Sequence, residues 1–201
     1  MARECISFVI CTYNGANFIC VQLESIIKLL LPGDEIILSD DNSTDRTLEI
    51  VQNIKDNRIK VFRNTRVLGY SANFIKAIKH SSNDIIFLSD QDDYHVFSCV
   101  QKSINELERG CDLYVGSLLI ADKDLSPYGF IGFKGNTTIE GPNIILRSKL
   151  LISWFLGKCS VFGCAMVFRK SSINQLLDHE QRIKGFPHDL SILLYCLFLN
   201  K

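Results

Sequence analysis

Short apolar runs alternate with segments of helical apolar spacing four times in the first 110 residues. The short runs are rich in branched and aromatic residues, which is typical of buried strands. This alternation predicts an α/β fold, in which a mostly parallel sheet carries helices on both faces. A chain of 201 residues is long enough for one such domain with a sizeable core. The predicted strands cover residues 6–11, 35–39, 59–62, 84–89 and 112–121.

The alternation fails after residue 121. Residues 122–160 contain two prolines and several glycines, which predicts a long, partly irregular segment of the kind that is usually functional or mobile. A strand pattern returns at residues 163–168, helical spacing follows from Ile173, and an apolar helix is predicted at 190–199. The sequence ends there without a closing strand, so we expect it to be C-terminally incomplete.

Composition excludes several classes of protein. Lys and Arg together number 22, as do Asp and Glu, so there is no basic excess and we expect no nucleic-acid partner. The eight cysteines include no CxxC pair, which favours reduced thiols over a disulfide scaffold. The N-terminus lacks a signal-peptide pattern, and the longest apolar stretch is interrupted by polar residues and glycines. These features predict a cytoplasmic protein without a membrane span.

Three carboxylates, Asp90, Asp92 and Asp93, directly follow the fourth predicted strand. Like charges this close repel one another, so a cation or a set of hydrogen-bond donors should offset them. Carboxylate oxygens suit Mg²⁺ or Mn²⁺. Alternation in an extended segment would put Asp90 and Asp92 on one side, with Gln91 pointing away. The alternative is a solvated acidic turn that caps the following helix.

Polar clusters also follow the first two predicted strands: Thr12-Tyr13-Asn14 and Asp40-Asp41. In a parallel sheet these clusters and the Asp90–Asp93 segment would lie along the same edge, where open α/β sheets bind ligands. We therefore predict a nucleotide site, with Asp40 or Asp41 at the base or ribose and a metal on the diphosphate. The alternative for Asp40-Asp41 is helix capping. Glycine-rich phosphate loops are absent, which disfavours kinases, P-loop NTPases and dinucleotide dehydrogenases.

Asp189 follows Phe186-Pro187-His188 and precedes the last apolar helix. One interpretation makes it a helix cap or a first-turn acid, which is favourable at the positive end of a helix. The other makes it a general base at the edge of the pocket. The two roles are compatible, because a cap position holds a carboxylate rigidly.

The segments 6–15, 38–45 and 88–93 resemble family 2 glycosyltransferases in order and interval. The Ser89–Asp93 form and residues 163–166 are similar to a bacterial branch that includes rhamnosyltransferase-like enzymes of surface polysaccharide assembly. The sequence departs from the family pattern at Leu190 and Ser191, where an aromatic residue usually follows the His-Asp pair. Family members also normally continue well beyond the length of this chain.

The resemblance implies a GT-A fold and an inverting transfer from a UDP- or dTDP-linked sugar to a glycan or lipid-linked acceptor. It implies a nucleotide-sugar-binding half at 1–121, an acceptor-side half at 122–201, and peripheral association with the inner face of the plasma membrane. Asp189 is then the catalytic base, and Asp90 and Asp92 bind Mg²⁺ or Mn²⁺. The residues expected to bind substrate are Thr12, Tyr13, Asn14, Asp40, Asp41, Asn73 and Asp90.

Two other functions stay open. A truncated or inactive transferase could act as a nucleotide-binding or interaction module. A sugar nucleotidyltransferase shares the sheet topology and acidic metal sites, but its basic, glycine-rich phosphate loop is not visible near the first strand.

Overall fold

The computed structural model of the protein describes residues 3–122, 124–131, 137–139, 162–179, 181 and 185–198. Within these residues the strands and helices follow the predicted alternation as far as α4. The strands are β1 (Ile6–Thr12), β2 (Glu35–Asp40), β3 (Ile59–Arg63), β4 (Ile85–Ser89), β5 (Leu113–Val115), β6 (Leu118–Ala121), β7 (Pro127–Ile131), β8 (Thr137–Ile139) and β9 (Met166–Arg169). The α-helices are α1 (Ile19–Ile27), α2 (Thr47–Asn53), α3 (Tyr70–His80), α4 (Phe97–Glu108), α5 (Asn174–Asp178) and α6 (His188–Phe198).

The described strands form a main sheet with the order β3-β2-β1-β4-β9-β5-β8. Strands β3, β2, β1 and β4 are parallel, and β9, β5 and β8 pair antiparallel to their neighbours. The α/β fold with a mostly parallel sheet β3-β2-β1-β4 is therefore confirmed. Because each βαβ crossover returns the chain in the same direction, these four strands all end at one edge of the sheet.

The single strand predicted at residues 112–121 is wrong. The segment splits into β5, which joins the main sheet, and β6, which forms a separate hairpin with β7. The break comes at Gly116, whose N–H donates 2.8 Å to the carbonyl oxygen of Ala165. The chain leaves the main sheet after this bond. Much of the irregular segment predicted at 122–160 lies outside the described residues.

The core lies on both faces of the sheet. Phe8 on β1 packs toward Leu23 of α1 and Val100 of α4, whereas its neighbour Val9 packs in the cluster that contains Phe74 of α3. Both faces of β1 are buried, which is why its sequence is apolar on both faces from Phe8 to Cys11. Burying each such side chain contributes about 1.5–3 kcal/mol to folding.

The register of the parallel strands fixes the position of the polar clusters. Thr12 at the end of β1 pairs with Asp40 at the end of β2, and Ile10 pairs with Ser89 at the end of β4. The predicted convergence of these strand ends at one edge is confirmed. In the part of the chain that the structure describes, no helix is long and apolar enough to cross a membrane.

Candidate active site

A cleft of about 390 Å³ opens at this edge of the sheet. It receives residues from the ends of β1, β2 and β4 and from the start of α3. Six predicted site residues line it: Thr12, Tyr13, Asp41, Asn73, Asp90 and Asp92. The other described lining residues are Cys11, Val67, Gly69, Tyr70, Phe74 and Gln91, so no lysine, arginine or histidine is among them.

Asp41 lines the cleft, and its side chain is buried. Its Oδ1 accepts hydrogen bonds from Asn64 Nδ2 at 2.9 Å and from the N–H of Leu68 at 2.8 Å, and its Oδ2 accepts one from the N–H of Gly69 at 2.8 Å. Gly69 has a left-handed φ of 85°, which residues other than glycine rarely adopt. The loop before α3 therefore holds this carboxylate in one orientation.

Asn73 is linked to Asp41 through the side chain of Asn64. Its side chain is buried, with Oδ1 accepting from Ser39 Oγ at 2.6 Å and from Asn64 Nδ2 at 2.9 Å, while its Nδ2 donates to the carbonyl oxygen of Ser39. The same Nδ2 of Asn64 reaches Asp41. Every polar atom of the Asn73 side chain is thus hydrogen-bonded, and the residue links β2 to the helix that borders the cleft.

Asp40 and Asn14 are not among the described residues that line the cleft. Asp40 is fully buried, its Oδ2 accepts from the N–H of Ser43 at 3.0 Å, and Arg63 Nε lies 3.6 Å from that oxygen. Asn14 has a φ of 51°, and its Oδ1 accepts from the N–H of Thr44 at 2.9 Å. Both side chains fasten the turns after β1 and β2, as expected for residues that favour turns.

Gln91 does not point away from the site, so that expectation is wrong. Its Oε1 accepts from Thr12 Oγ1 at 2.8 Å and from the N–H of Tyr13 at 3.0 Å, and the residue lines the cleft. The expectation assumed that the chain stays extended through Asp92. Instead β4 ends at Ser89, and Gln91 and Asp92 form a turn.

Because of this turn, the carboxylate that clusters closely with Asp90 is that of Asp93, and Asp92 is not among the described residues of the cluster. The N–H of Asp90 donates to Asp93 Oδ2 at 2.8 Å, and one ligand atom each from Asp90, Asp93 and Cys164 lie within 4.8 Å of one another. Burial and the Asp90 charge raise the pKa of Asp93 to about 7, and burial also raises the pKa of Asp90. Asp92 is exposed and lines the cleft beside Asp90.

The residues present fit a hard divalent cation. Carboxylate oxygens are the ligands that Mg²⁺ and Mn²⁺ prefer, and no described residue that lines the cleft carries a positive charge to offset the negative charges of Asp90 and Asp92. Cys164 is a soft donor, and burial together with the charges of Asp93 and Asp90 raises the pKa of its thiol. Cys164 therefore fits better as a hydrogen-bond donor to the two carboxylates than as a thiolate ligand.

The end of β4 rests on a buried polar network that the sequence pattern did not indicate. Gln22 of α1 is fully buried and donates from Nε2 to Ser89 Oγ and, at 3.1 Å, to the carbonyl oxygen of Asp90. Nε2 of His95 lies 2.9 Å from Ser89 Oγ, and burial lowers the pKa of His95 to about 4. These contacts hold the strand end from which Asp90 projects.

Asp189 lies in the first turn of α6, where its Oδ1 accepts from the N–H of Leu190 at 2.7 Å. Asp189 is not among the described residues that line the cleft, and its charge adds to the burial that raises the pKa of Asp90. The neighbouring His188 is buried and stacks on the cleft residue Phe74, with ring centroids 4.2 Å apart. A Cβ at Gly163 would lie 2.7 Å from His188 Nε2 and 3.6 Å from Asp189 Cβ. Gly163 thus allows the His-Asp pair to pack close to the acidic cluster.

Comparison with protein families decides what kind of domain this is. The model of the family described as Glycosyl transferase family 2 matches residues 7–177, which is most of the chain. The chain belongs to glycosyl transferase family 2. The family predicted from the three strand-end segments is therefore confirmed.

Two curated relatives of this family 2 chain are bacterial glucosyltransferases. The UDP-Glc:alpha-D-GlcNAc-diphosphoundecaprenol beta-1,3-glucosyltransferase WfaP of Escherichia coli is 33% identical over 105 residues, which cover 52% of this chain and 42% of the relative. The GalNAc(5)-diNAcBac-PP-undecaprenol beta-1,3-glucosyltransferase of Campylobacter jejuni is 30% identical over 183 residues, which cover 87% of this chain and 57% of the relative. The chain thus spans about half the length of these relatives. Both are named glucosyltransferases, so the narrower resemblance to rhamnosyltransferases is not confirmed.

A solved structure supports the fold. The crystal structure of S. aureus TarS 1-349 in complex with UDP-GlcNAc superposes with a TM-score of 0.64 at 21% identity, covering 96% of this chain and 53% of that one. At this identity the likeness concerns the fold alone. The predicted GT-A architecture of the family 2 chain is confirmed.

Proposed function

We propose that this family 2 chain binds a UDP- or dTDP-linked sugar in the cleft and transfers the sugar, with inversion, to a lipid-linked or glycan acceptor. The observation that carries the proposal is the convergence of three strand ends on one cleft, which Asp41 lines after β2 and which Asp90 and Asp92 line after β4, on the other side of β1. The family membership supports the same reaction class.

Asp41 supports recognition of a pyrimidine base. A carboxylate has about four acceptor sites, and three of those of Asp41 are taken by Asn64, Leu68 and Gly69. The remaining site on Oδ2 can accept from the imide N–H of uracil or thymine. Tyr13, which lines the same cleft and is about half exposed, would offer an aromatic surface to the nucleoside. We propose that Thr12 contributes to the same contact region, and that Asp40, Asn14 and Asn73 act by fixing the surrounding turns.

We propose that Asp90 and Asp92 hold Mg²⁺ or Mn²⁺, and that Asp93, which clusters with Asp90, assists them. A divalent cation bound there would act as a Lewis acid that stabilises the charge of the departing diphosphate. The protein's own residues contribute the orientation of these carboxylates. The turn bond from Asp90 to Asp93 and the contacts of Gln22 beneath the strand end restrict where Asp90 can lie.

Asp189 is the proposed general base. Its carboxylate would accept the proton of an acceptor hydroxyl as that oxygen attacks the anomeric carbon from the face opposite the diphosphate, which inverts the configuration. The hydrogen bond from the N–H of Leu190 and the start of α6 hold the carboxylate, consistent with a first-turn acid. In this proposal Asp189 has both roles: it is a first-turn acid of α6 and the general base.

We propose that the acceptor is carried on a lipid. The two relatives described above are named for acceptors on diphosphoundecaprenol or PP-undecaprenol. A lipid-linked acceptor would bring the chain to the inner face of the plasma membrane as a peripheral protein. We assign acceptor binding to residues 122–201, and donor binding to residues 1–121.

The test is to replace Asp189 by Asn and to measure both UDP binding and sugar transfer to a synthetic lipid-linked acceptor. We expect transfer to fall by about 10²–10⁴-fold, the range for loss of a general base, while UDP binding stays within a factor of about two. Asp178→Asn, at an exposed position of α5, is the matched control. Equal transfer by Asp189→Asn and wild type would overturn the base assignment. UDP binding without transfer by the wild-type chain would favour a nucleotide-binding module.

A further inference from the structure

Hydrogen bonds hold the Gln91 side chain, which follows β4, against the end of β1. Its Oε1 receives the Thr12 hydroxyl and the N–H of Tyr13, at 2.8 and 3.0 Å. A Cβ at Gly15 would lie only 2.4 Å from this Oε1. The turn after β1 therefore has room for the carboxamide only because residue 15 has no side chain.

The contacts fix which way the amide faces. A backbone N–H can only donate, so the group that meets Tyr13 must be the carbonyl oxygen of Gln91 and not its amide nitrogen. Nε2 is then the end of the side chain that remains available. Within the described residues, no hydrogen bond from Gln91 Nε2 to protein is formed.

The surroundings of this amide indicate what it would bind. Gln91 lines the cleft between Asp90 and Asp92, and no described lining residue carries a positive charge. An anion entering this region would need neutral hydrogen-bond donors in addition to a bound cation. The two N–H bonds of an oriented amide are donors of that kind, and hydrogen bonds to a charged acceptor are stronger than those to a neutral one.

We propose that Gln91 is a donor-binding residue whose Nε2 hydrogen-bonds a diphosphate oxygen of the nucleotide-diphospho-sugar. This inference rests on the proposed function of the cleft. Oε1 of Gln91 is hydrogen-bonded to the Thr12–Tyr13 turn, which would contact the nucleoside. Nε2 of the same side chain would donate to the diphosphate of that ligand. Gln91 thereby sets the preference of the site for a nucleoside diphosphate over the bare nucleoside.

The experiment compares two ligands, uridine and UDP, with wild type, Gln91→Met and Gln91→Glu. Calorimetry gives the affinity for UDP, and displacement of UDP gives that for uridine, at one fixed Mg²⁺ concentration. Gln91→Met removes both ends of the amide without adding charge. Gln91→Glu keeps an acceptor for Tyr13 N–H but replaces the donor with a negative oxygen. Gln52→Glu, on the exposed part of α2, controls for the added charge.

We expect Gln91→Met to weaken UDP binding about fivefold more than uridine binding, and Gln91→Glu to weaken UDP binding more than about tenfold while leaving uridine within about twofold. Equal weakening of both ligands by Gln91→Met would overturn the proposal, because Gln91 would then act only by ordering the Thr12–Tyr13 turn. UDP affinity unchanged in Gln91→Glu would overturn it as well. If the wild-type chain binds neither ligand, the proposed function of the cleft fails, which is a different result from loss of the Gln91 effect alone.

Discussion

The backbone N–H of Asp90 donates a 2.8 Å hydrogen bond to Oδ2 of Asp93. This bond ends the extended strand and turns the Asp93 carboxylate back toward Asp90, next to the thiol of Cys164. The turn therefore brings the Asp90 and Asp93 carboxylates together, and Cys164, which is distant in the sequence, completes the cluster. A cation that binds this cluster should relieve the repulsion and stabilise the folded state.

Asp93→Asn should reduce the stabilisation that Mn²⁺ gives. In the wild type we expect Mn²⁺ to raise the melting temperature, because it binds the folded cluster and not the unfolded chain. The Asn variant keeps a similar size but lacks one negative charge, so the Mn²⁺-induced shift should be less than half as large. Differential scanning fluorimetry at pH 8 with and without Mn²⁺ measures this shift. An undiminished shift in Asp93→Asn would show that Asp93 does not contribute to cation binding.

Asp41→Asn should weaken UDP binding by about tenfold or more. An amide can offer one oxygen to the three donors that now meet the carboxylate, and its NH₂ would face the N–H of Gly69 or that of Leu68. The loop before α3 would then shift and the acceptor for the base would be lost. Calorimetric titration with UDP checks this, and Glu49→Gln, which changes an exposed carboxylate on α2, is the control. Binding equal to that of the wild type would contradict the role of Asp41.

Asn73→Ala should lower the free energy of unfolding by about 2–3 kcal/mol, because it leaves Ser39 and Asn64 with unpaired buried polar groups. Urea denaturation measures the change. Gln52→Ala on the exposed part of α2 should cost less than about 0.5 kcal/mol. A loss as small as that of the control would mean that the buried amide network contributes little to stability.

Gly163→Ala should slow sugar transfer by about tenfold or more while leaving UDP binding nearly unchanged. The added Cβ would lie 2.7 Å from His188 Nε2, so the buried His188 ring must shift, and we expect the first turn of α6, which carries Asp189, to shift with it. Gly116→Ala is a matched control, because a Cβ there meets its nearest atoms at 3.4 and 3.5 Å. Steady-state kinetics should show the loss in kcat rather than in KM for the donor. Full activity in Gly163→Ala would show that the exact approach of α6 is unimportant.

His188 should make the protein less stable in weak acid. Burial lowers the pKa of its imidazole below the usual 6.5, so the folded state favours the neutral ring. The resulting stability is present above pH 6.5 and is lost as the pH falls below it, since the unfolded chain then binds the proton more readily. His188→Phe keeps an aromatic ring beside Phe74 and removes the titration. Between pH 7.5 and 5.5 it should lose about 1 kcal/mol less unfolding free energy than the wild type.

Urea denaturation at the two pH values provides this comparison. His95, whose pKa burial also lowers, is present in both proteins, so its contribution cancels in the difference. An identical pH dependence in the two proteins would mean that His188 titrates the same way folded and unfolded.

The parallel half of the sheet could be predicted because its signal is local. In β1, both the Phe8 face and the Val9 face are buried, so the strand is apolar from Phe8 to Cys11, and a polar cluster begins where the strand ends. Parallel strands that end in polar clusters must bring those clusters to one edge. That reasoning needs only the order of the elements.

The details of the site depended on contacts that no local pattern records. The direction of Gln91 is set by Thr12 and Tyr13, and the cluster of Asp90 with Asp93 is completed by Cys164. An extended backbone beyond Ser89 was the natural assumption from alternation. That assumption failed because the Asp93 side chain accepts a hydrogen bond from the N–H of Asp90, the first residue after the strand. Aspartate favours such local bonds to the backbone, and they compete with the extended geometry of a strand.

The most direct test of the central claim is calorimetric titration of UDP against the wild-type chain and Asp90→Asn, each with and without Mn²⁺. We predict UDP binding that depends on Mn²⁺ in the wild type and is at least about tenfold weaker in Asp90→Asn. The cleft would then hold a nucleoside diphosphate through a cation at the end of β4. UDP affinity that is unaffected by both Mn²⁺ and the substitution would contradict this account of the site.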